Sequence, residues 1–494
     1  MNDKKHLFQT GLVFISSLIF FFSCKSAKLS EAEEKQKIGE YYEAASIYRK
    51  VYTKTSPTKR DLRGYIAYHM AECNRMINNT DKAISGYMNA LRYNYPDSII
   101  NLRLGQMLQR KGRYAEAIKQ YDSYLAYNPS SQLAFNGIEG CNNAPQWKKN
   151  PTRYEVKRME KFNSRRGEFS PMLTGEKYDQ LYFASSRTKD KEAKLNAITG
   201  QHNNNFFLVK QDEKGNWLAP TELEDEVNTE FDEGTPSFTT DGNTMYYTYC
   251  SQDETSNRTS EIYVSNRSSA KWGKGSRVNI VKDSITALGH PAISPDGKYL
   301  YFVSDAIGGY GGKDIYRCKI AGGETGPMEN LGEDINTSGD EMFPYVRDSI
   351  TLYFASNGHP GMGGLDLFKA TRDSTGIWNV ENLEYPINSS SDDFGITFEG
   401  KKEKGFFSSN RNDARGLDHL FSFEKPTITV HIEGFVNDVE EYPIENATVR
   451  IVGRDGLNEK VQTKKDGSYH VELERDIKYV MMASSQGYLN QNYE

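Results

Sequence analysis

Three short glycine-containing segments, each ending in Asp, recur at a fixed interval in the second half of the chain. They are GGYGGKD (Gly308 to Asp314), GGLD (Gly363 to Asp366) and GLD (Gly416 to Asp418). Asp366 lies 52 residues after Asp314, and Asp418 lies another 52 residues after Asp366. A fixed period of this length indicates a repeat architecture, in which each repeat is one supersecondary unit.

Five apolar strand cores follow a similar spacing, and they predict a β-propeller. Turn residues separate each core from shorter strands on either side, and Trp recurs where a fourth strand is expected. Short strands at regular intervals indicate a radial β-array. We therefore expect a five-bladed PD40/WD40-like propeller over residues 151–425. The cores are Leu181-Tyr182-Phe183, Met245-Tyr246-Tyr247, Leu300-Tyr301-Phe302, Leu352-Tyr353-Phe354 and Gly405-Phe406-Phe407, and the tryptophans are Trp217, Trp272 and Trp378.

The fifth unit lacks a fourth strand of its own. Pro426 and a new composition follow its third strand, whereas the segment from Arg153 to Ser164 resembles a displaced fourth strand. We expect residues 155–159 to supply the missing strand. This pairing would join the start of the propeller to its end and leave no open sheet edge.

The Gly-Lys pair in GGYGGKD raises the question of a phosphate-binding loop. A P-loop has two glycines with four residues between them, then Lys, then Ser or Thr. Here Ile307 stands at the first glycine position and Asp314 follows the Lys. We interpret Asp314, Asp366 and Asp418 instead as structural residues that hydrogen-bond the glycine-rich turn between the second and third strands of a blade.

Three motifs of common enzyme and metal-binding classes do not occur in the sequence. It contains no Gly-x-Ser-x-Gly, no His-Glu-x-x-His and no Cys-x-x-Cys. We expect His290 and His359 to be turn or interface residues, and we predict no catalytic, cofactor-binding or metal site. Paired acids recur at the blade entrances, and hydrogen bonds between blades explain them more simply than acid–base chemistry or calcium binding does. The pairs are Asp232-Glu233, Asp340-Glu341 and Asp392-Asp393.

A second period, of 34 residues, lies in the first third of the chain. It separates Ala83 from Ala117 and Tyr87 from Tyr121. This is the tetratricopeptide period, in which small residues allow the two helices of a repeat to cross closely. We expect tetratricopeptide helices over residues 24–150, with a capping helix from Gln132 to Cys141. Such arrays bind peptides or partner helices in a concave groove, although the array could also serve as a spacer.

The N-terminus has the features of an export signal. Lys4 and Lys5 precede an uncharged apolar segment, Leu12 to Phe22, and Cys24 follows Ser23. We predict a lipoprotein signal peptide over residues 1–23 and lipidation of Cys24, since acyl chains there would anchor the protein to a membrane. The alternative is an uncleaved membrane helix starting near Leu7.

The last segment, residues 426–494, changes to alternating strands with a turn at Asp466-Gly467. This pattern predicts a small antiparallel β-sandwich. PIENATV (Pro443 to Val449) and KKDGSY (Lys464 to Tyr469) resemble carboxypeptidase regulatory-like domains. We expect this domain to be incomplete.

The order of these parts resembles the PorE-like outer-membrane lipoproteins of the type IX secretion system of Bacteroidetes. The resemblance rests on Cys24, the helical units at Gly39 and Gly112, SPDGKYLYF (Ser294 to Phe302) with GGYGGKD, and PIENATV with KKDGSY. It implies a non-enzymatic, lipid-anchored scaffold on the periplasmic side of the outer membrane that links the secretion machinery to the envelope. The resemblance also implies a C-terminal OmpA-like domain that binds peptidoglycan, and we expect no such domain within residues 1–494.

The partners that we expect are proteins of an outer-membrane secretion complex. The net charge of −6 gives no electrostatic reason to expect nucleic acid. Two alternatives remain open. One is a sensor of peptidoglycan or other glycans without a role in secretion, and the other is a propeller that gates a partner hydrolase.

Overall fold

The computed structural model describes residues 27–190, 192–251, 260–268, 271–283, 285–454, 456–475, 477–489 and 491–493. The predicted signal peptide and the predicted lipidation site, Cys24, lie outside these ranges. Across the described residues, no helix has both the length and the apolar character that crossing a membrane requires.

Seven helices form the first part of the described chain. Consecutive helices pack against each other, and the residues with the 34-residue spacing lie in their core: Ala83, Ala117, Tyr87 and Tyr121 are all buried. The capping helix is longer than expected, because buried Cys141 and Ala144 continue its packed face and it extends through Pro145. The helices are α1 (Ala27–Lys37), α2 (Tyr41–Lys54), α3 (Arg60–Met76), α4 (Thr80–Arg92), α5 (Ile99–Arg110), α6 (Tyr114–Leu125) and α7 (Gln132–Lys149).

Small residues set how closely these helices approach. A Cβ added to Gly86 would lie 2.7 Å from the Cβ of Ala71, and one added to Gly105 would lie 2.7 Å from the ring of Tyr121. Real Cβ atoms essentially never make contacts under 3.0 Å. The glycines therefore allow the two helices of each pair to cross, as the tetratricopeptide pattern predicts.

The remainder of the described chain is built of strands. In chain order they are β1 (Glu155–Arg158), β2 (Glu168–Thr174), β3 (Gln180–Ser185), β4 (Asn205–Lys210), β5 (Thr221–Glu222), β6 (Asp232–Phe238), β7 (Thr244–Cys250), β8 (Glu261–Ser268), β9 (Lys271–Trp272), β10 (Ser276–Arg277), β11 (Leu288–Ile293), β12 (Tyr299–Ser304), β13 (Asp314–Ala321), β14 (Glu324–Thr325), β15 (Glu329–Asn330), β16 (Glu341–Val346), β17 (Thr351–Ser356), β18 (Asp366–Arg372), β19 (Trp378–Asn382), β20 (Asp393–Phe398), β21 (Lys404–Ser409), β22 (His419–Glu424), β23 (Thr429–Phe435), β24 (Thr448–Gly453), β25 (Asn458–Gln462), β26 (Ser468–Glu474), β27 (Tyr479–Ser484) and β28 (Gln491–Tyr493).

Strands β1 to β22 form five antiparallel sheets. Four of them begin with β2, β6, β11 and β16 and continue along the chain. The fifth has the order β1-β22-β21-β20, so its outer strand comes from the start of the region. In this pairing Glu155 lies opposite Glu424 and Arg158 opposite Phe421. The strand expected at residues 155–159 thus pairs with the last strand of the last sheet.

The first strands of the five sheets contact one another in a closed order. β2 contacts β6, β6 contacts β11, β11 contacts β16, β16 contacts β20, and β20 contacts β2. The sheets therefore surround a common axis, which is a β-propeller-like arrangement. We call these five sheets the ring.

Strands β23 to β28 form two small sheets with a core of their own. β23 pairs with β26, and the other sheet has the order β25-β24-β27-β28. Val449, Ile451, Val471 and Leu473 are buried together between them. Alternating strands in this segment follow the pattern that its sequence predicts.

Candidate functional site

The helical array lies against the face of the ring that carries the glycine-rich turns. The amide of Gln109, in α5, donates to the carbonyl of Gly361 at 2.9 Å, and the amide of Asn136, in α7, donates to the carbonyl of Gly358 at 2.7 Å. Arg110 forms an ion pair with Asp392, and both side chains are largely buried. We call this contact the junction.

Backbone packing at the junction depends on one glycine of α7. A Cβ at Gly140 would lie 2.2 Å from the carbonyl oxygen of Gly361 and 2.8 Å from its nitrogen. Backbone atoms of a turn cannot rotate away as the end of a side chain can. Gly140 therefore lets the helix touch the turn directly.

A second contact lies at the other end of the array. The backbone N–H groups of Tyr42 and Glu43, at the start of α2, donate to the carbonyls of Ile198 and Ala197 at 3.1 and 3.3 Å. The aromatic side chain of Tyr42 packs closely on Gly200, because a Cβ added to Gly200 would lie 2.3 Å from Cδ2 of Tyr42. The array is thus held against the ring near both of its ends.

Between the array and the ring lies a cavity of about 570 Å³. One face of α5 forms much of its helical wall, because Arg103, Gln106, Met107 and Arg110 recur at the spacing of one helix face; residues of α3, α6 and α7 complete this wall. The opposite wall includes ring turns and aromatic side chains of the innermost strands, among them Gly361, Gly363, Gly364, Asp366, Asp392, Asp418, Phe169, Phe343 and Phe394. We call this space the junction cavity.

Two of the three Asp residues singled out in the sequence line the junction cavity. Asp366 accepts the N–H of Gly363 at 2.9 Å through Oδ2, so it does hold its turn. Burial and the nearby charge of Asp393 raise its pKa well above the ordinary range. Burial and the charge of Asp392 likewise raise the pKa of Asp418 to about 7. Within the described part of the chain, Oδ1 of each side chain is buried and has no hydrogen-bond partner.

The third residue, Asp314, has a purely local environment. It accepts the N–H groups of Tyr310 and Gly311 at 2.6 and 3.1 Å, and the amide of Asn330 at 2.8 Å. Asp314 thus makes the turn contacts expected from the sequence, and it does not line the junction cavity. The repeat therefore holds one buried position with two environments, one enclosed by its own turn and one lining the cavity beside the helices.

The paired acids at the sheet entrances divide their roles. Asp232 accepts the backbone N–H of Asn204 at 2.8 Å, from the preceding sheet. The second acid bonds within its own sheet: Glu341 accepts the hydroxyls of Thr337 and Ser356 at 2.7 and 2.6 Å. Among the other first acids, Asp392 accepts the N–H of Leu365 at 3.0 Å, beside the preceding sheet, whereas Asp340 accepts the amide of Asn357 at 3.1 Å within its own sheet. The expectation of bonds between blades therefore describes Asp232 and Asp392 and not Asp340 or Glu341.

The axis of the ring is closed by side chains. Each innermost strand has a β-bulge with one residue in the left-handed region, and a cavity of about 30 Å³ lies among these bulges. The imidazole of His290 stacks on the phenyl group of Phe343, with centroids 3.9 Å apart. Burial lowers the pKa of this imidazole to about 3. The five bulge residues are Ser170 (φ 51°), Thr235 (φ 51°), His290 (φ 48°), Phe343 (φ 53°) and Gly395 (φ 62°).

The other singled-out histidine also has a structural environment. Nε2 of His359 lies 2.8 Å from the carbonyl oxygen of Ile335, and its ring packs near Phe354 and Phe368. Burial lowers its pKa. His290 thus lies among the residues at the axis, whereas His359 lies in a turn and also lines the junction cavity.

Sequence reasoning did not find Arg110, Gln109 or Gly140, which make the junction. Arg110 lies 34 residues after Met76, so these two residues occupy equivalent positions of successive repeats. The position is apolar in one repeat and charged in the next. That change was the available signal. Its meaning depends on Asp392, which is distant in sequence and close only in the folded chain.

The junction cavity combines polar groups with apolar surface. Guanidinium and amide groups of α5 provide donors, and buried carboxyl groups of the ring provide acceptors. Aromatic rings supply apolar contact surface at the floor. Such a mixture of anchored polar groups and apolar surface suits a polypeptide segment.

Comparison with known families finds tetratricopeptide repeats, at residues 65–98 and 101–131. Comparison with curated proteins gives no match. The matched repeats confirm the helical period, including the part of the array that lines the junction cavity.

Solved structures similar to the chain include three types of protein. An α-L-arabinofuranosidase from Lactobacillus brevis is 11% identical over 58% of this chain and 95% of its own, with a TM-score of 0.35. A TolB from Agrobacterium tumefaciens is 15% identical over 55% and 98%, with a TM-score of 0.28. A prolyl endopeptidase is 11% identical over 70% and 57%, with a TM-score of 0.27. At these values the similarities assign no activity to this chain.

Proposed function

We propose that the protein is a non-enzymatic scaffold that binds a partner polypeptide in the junction cavity. The observation that carries this proposal is the position of the cavity, between a tetratricopeptide helix face and a set of buried carboxyl groups. Tetratricopeptide arrays commonly bind extended or helical segments along their concave face. Here the ring supplies the second wall of that groove.

The architecture in this proposal is a helical array, a five-bladed propeller and a carboxypeptidase regulatory-like sandwich. Five antiparallel sheets around one axis support the propeller, as does the strand from the start of the region that completes the last sheet. Two small sheets with a shared core support the sandwich. A closed propeller provides a rigid floor, which reduces the ordering cost of binding.

Polar groups in the cavity set which segment can bind. Oδ1 of Asp366 and Oδ1 of Asp418 are buried acceptors, and each becomes a donor when its carboxyl group is protonated. Nε of Arg110 is a buried donor. Among the described residues, none of these three atoms has a hydrogen-bond partner. An unsatisfied buried polar atom costs about 1–3 kcal/mol. A bound peptide backbone, with both N–H and C=O groups, would satisfy such a mixed set.

The cellular role that we propose is in the type IX secretion system, as an outer-membrane lipoprotein facing the periplasm. The resemblance to PorE-like lipoproteins supports it, through the order of helical repeats, ring and terminal sheets. In this proposal Cys24 is the lipid attachment site and the bound partner belongs to the secretion complex. An envelope sensor of peptidoglycan or other glycans is the competing role.

The test is purification after crosslinking in intact cells. Wild-type protein should retain secretion-complex proteins, identified by mass spectrometry. Arg103→Glu, which reverses a charge in the cavity wall, should lose them. Lys119→Glu is the matched control, because it makes the same charge change on the exposed side of α6.

The outcomes separate the proposals. Loss in Arg103→Glu with retention in Lys119→Glu supports binding in the junction cavity. Equal retention by both variants contradicts that location. Recovery of peptidoglycan fragments without secretion proteins contradicts the secretion role and favours the sensor.

A further inference from the structure

The two-stranded sheet near the C-terminus carries four metal-ligand side chains on one face. In the antiparallel pair β23 and β26, His431 lies opposite Glu472 and Glu433 lies opposite His470. Side chains alternate between the faces of a strand, so these four share a face. Val471 and Leu473, on the opposite face, are buried in the core of the domain.

Two imidazoles and a carboxylate of this set are close together. The rings of His431 and His470 are stacked, with centroids 5.4 Å apart and planes inclined by 20°. Nδ1 of His431 lies 3.3 Å from Oε1 of Glu472, and Nδ1 of His470 lies 3.7 Å from Oε1 of Glu433. One ligand atom from each of His431, His470 and Glu472 falls within 4.8 Å of the other two.

These distances fit a tetrahedral ion after small side-chain movements. With metal–ligand bonds of about 2.1 Å, ligand atoms in a tetrahedral site lie about 3.4 Å apart. The three side chains are 60%, 48% and 58% exposed, so each can rotate toward an ion without disturbing the core. The backbone below them is fixed by a register of seven residue pairs.

We propose that His431, His470 and Glu472 bind a zinc ion. Imidazole nitrogen and carboxylate oxygen are ordinary zinc ligands, and three protein ligands leave a fourth position. Glu433, beside His470 on the same face, or a water molecule occupies that position. The ion joins β23 to β26 on the solvent side of the domain.

No metal site is predicted from the sequence, because the spacing of the ligands gives no signal. His431 and His470 are 39 residues apart, and neither lies in a short ligand motif. Strand register brings them together. The zinc site is also independent of the proposed scaffold function, because none of its residues lines the junction cavity.

The test is calorimetric titration of the full chain with zinc chloride. We expect saturable binding of one ion per chain, and at least a tenfold weaker affinity in His431→Ala and in His470→Ala. His202→Ala is the control, because it removes a histidine that lies outside the proposed site. In the wild type, Nδ1 of His202 lies 3.2 Å from the carbonyl oxygen of Lys194. The three variants should keep the far-ultraviolet circular dichroism of the wild type, because the altered side chains lie outside the core.

The absence of saturable binding would overturn the proposal. Equal binding by wild type, His431→Ala and His470→Ala, or an equal loss in His202→Ala, would overturn it as well.

Discussion

Substitution of Gly140 by Ala should weaken the contact between the helical array and the ring without unfolding either part. The added Cβ would lie 2.2 Å from the carbonyl oxygen of Gly361, whereas ordinary contacts begin near 3.4 Å. The helix or the turn must therefore move by about 1.2 Å. Forcing one methyl group into a packed contact costs about 1–3 kcal/mol.

This cost acts on the junction and not on the helix. Ala favours the helical backbone by about 1 kcal/mol relative to Gly, so α7 itself should become slightly more stable. Opening of the junction should become about 5- to 150-fold more frequent, since each 1.4 kcal/mol is a factor of ten. The two effects have opposite signs and can be measured in different segments.

Hydrogen exchange followed by mass spectrometry measures both. Hydrogen exchange in the turn of residues 358–366 should become about 5- to 150-fold faster in Gly140→Ala, because α7 shields Gly361 and its neighbours from solvent for less of the time. Exchange within α7 should not increase. Asn142→Ala, on the exposed side of the same helix, is the control and should leave the turn unchanged. Unchanged exchange of the turn in Gly140→Ala would refute the direct backbone contact.

Three further substitutions test other parts of the structure. Arg110→Met leaves Asp392 without its buried partner, and by thermal unfolding it should cost about 3–5 kcal/mol; a loss below about 1 kcal/mol would contradict a buried pair. Lys157→Pro removes a ladder hydrogen bond of β1, because the N–H of Lys157 points to the same side as that of Met159, which donates to the carbonyl of Leu420 in β22. Ring peptides should then exchange faster while helix peptides do not; protection of β22 equal to wild type would exclude this pairing. Burial raises the pKa of Glu233 to about 8, so the stability that it contributes is full below pH 4.5 and is lost as the pH rises through 8. Glu233→Gln should therefore reduce the fall in melting temperature between pH 5 and pH 8, and an unchanged fall would show that Glu233 is not its source.

Local patterns predicted most of the secondary structure, because each pattern has a local physical cause. Tyr87 and Tyr121 recur at 34 residues since each fills the same gap between two helices. Strand cores such as Leu352-Tyr353-Phe354 are buried as their composition predicts. The strand near residue 155 was also predictable, because an antiparallel sheet without its outer strand leaves unpaired backbone groups.

The functional surfaces depend on contacts between distant segments, and these were not predictable in the same way. Asp314, Asp366 and Asp418 look alike in the sequence, yet Asp366 and Asp418 face the helices and Asp314 does not. The difference arises from Arg110 and Gly140, which belong to another domain. The repeated sequence shows the turn role that these Asp positions share. The second role of Asp366 and Asp418, lining the cavity, arises only because the helices pack against their turns.

The most direct test of the scaffold proposal is crosslinking from a single position in the junction cavity. A photoreactive residue in place of Gln106, which lines the cavity, should capture one defined protein in intact cells. The same residue in place of Lys119, on the exposed side of α6, should not capture that protein. Capture of a secretion-complex protein from position 106 alone is the result that we predict. Capture from position 119 and not from position 106 would contradict binding in the cavity.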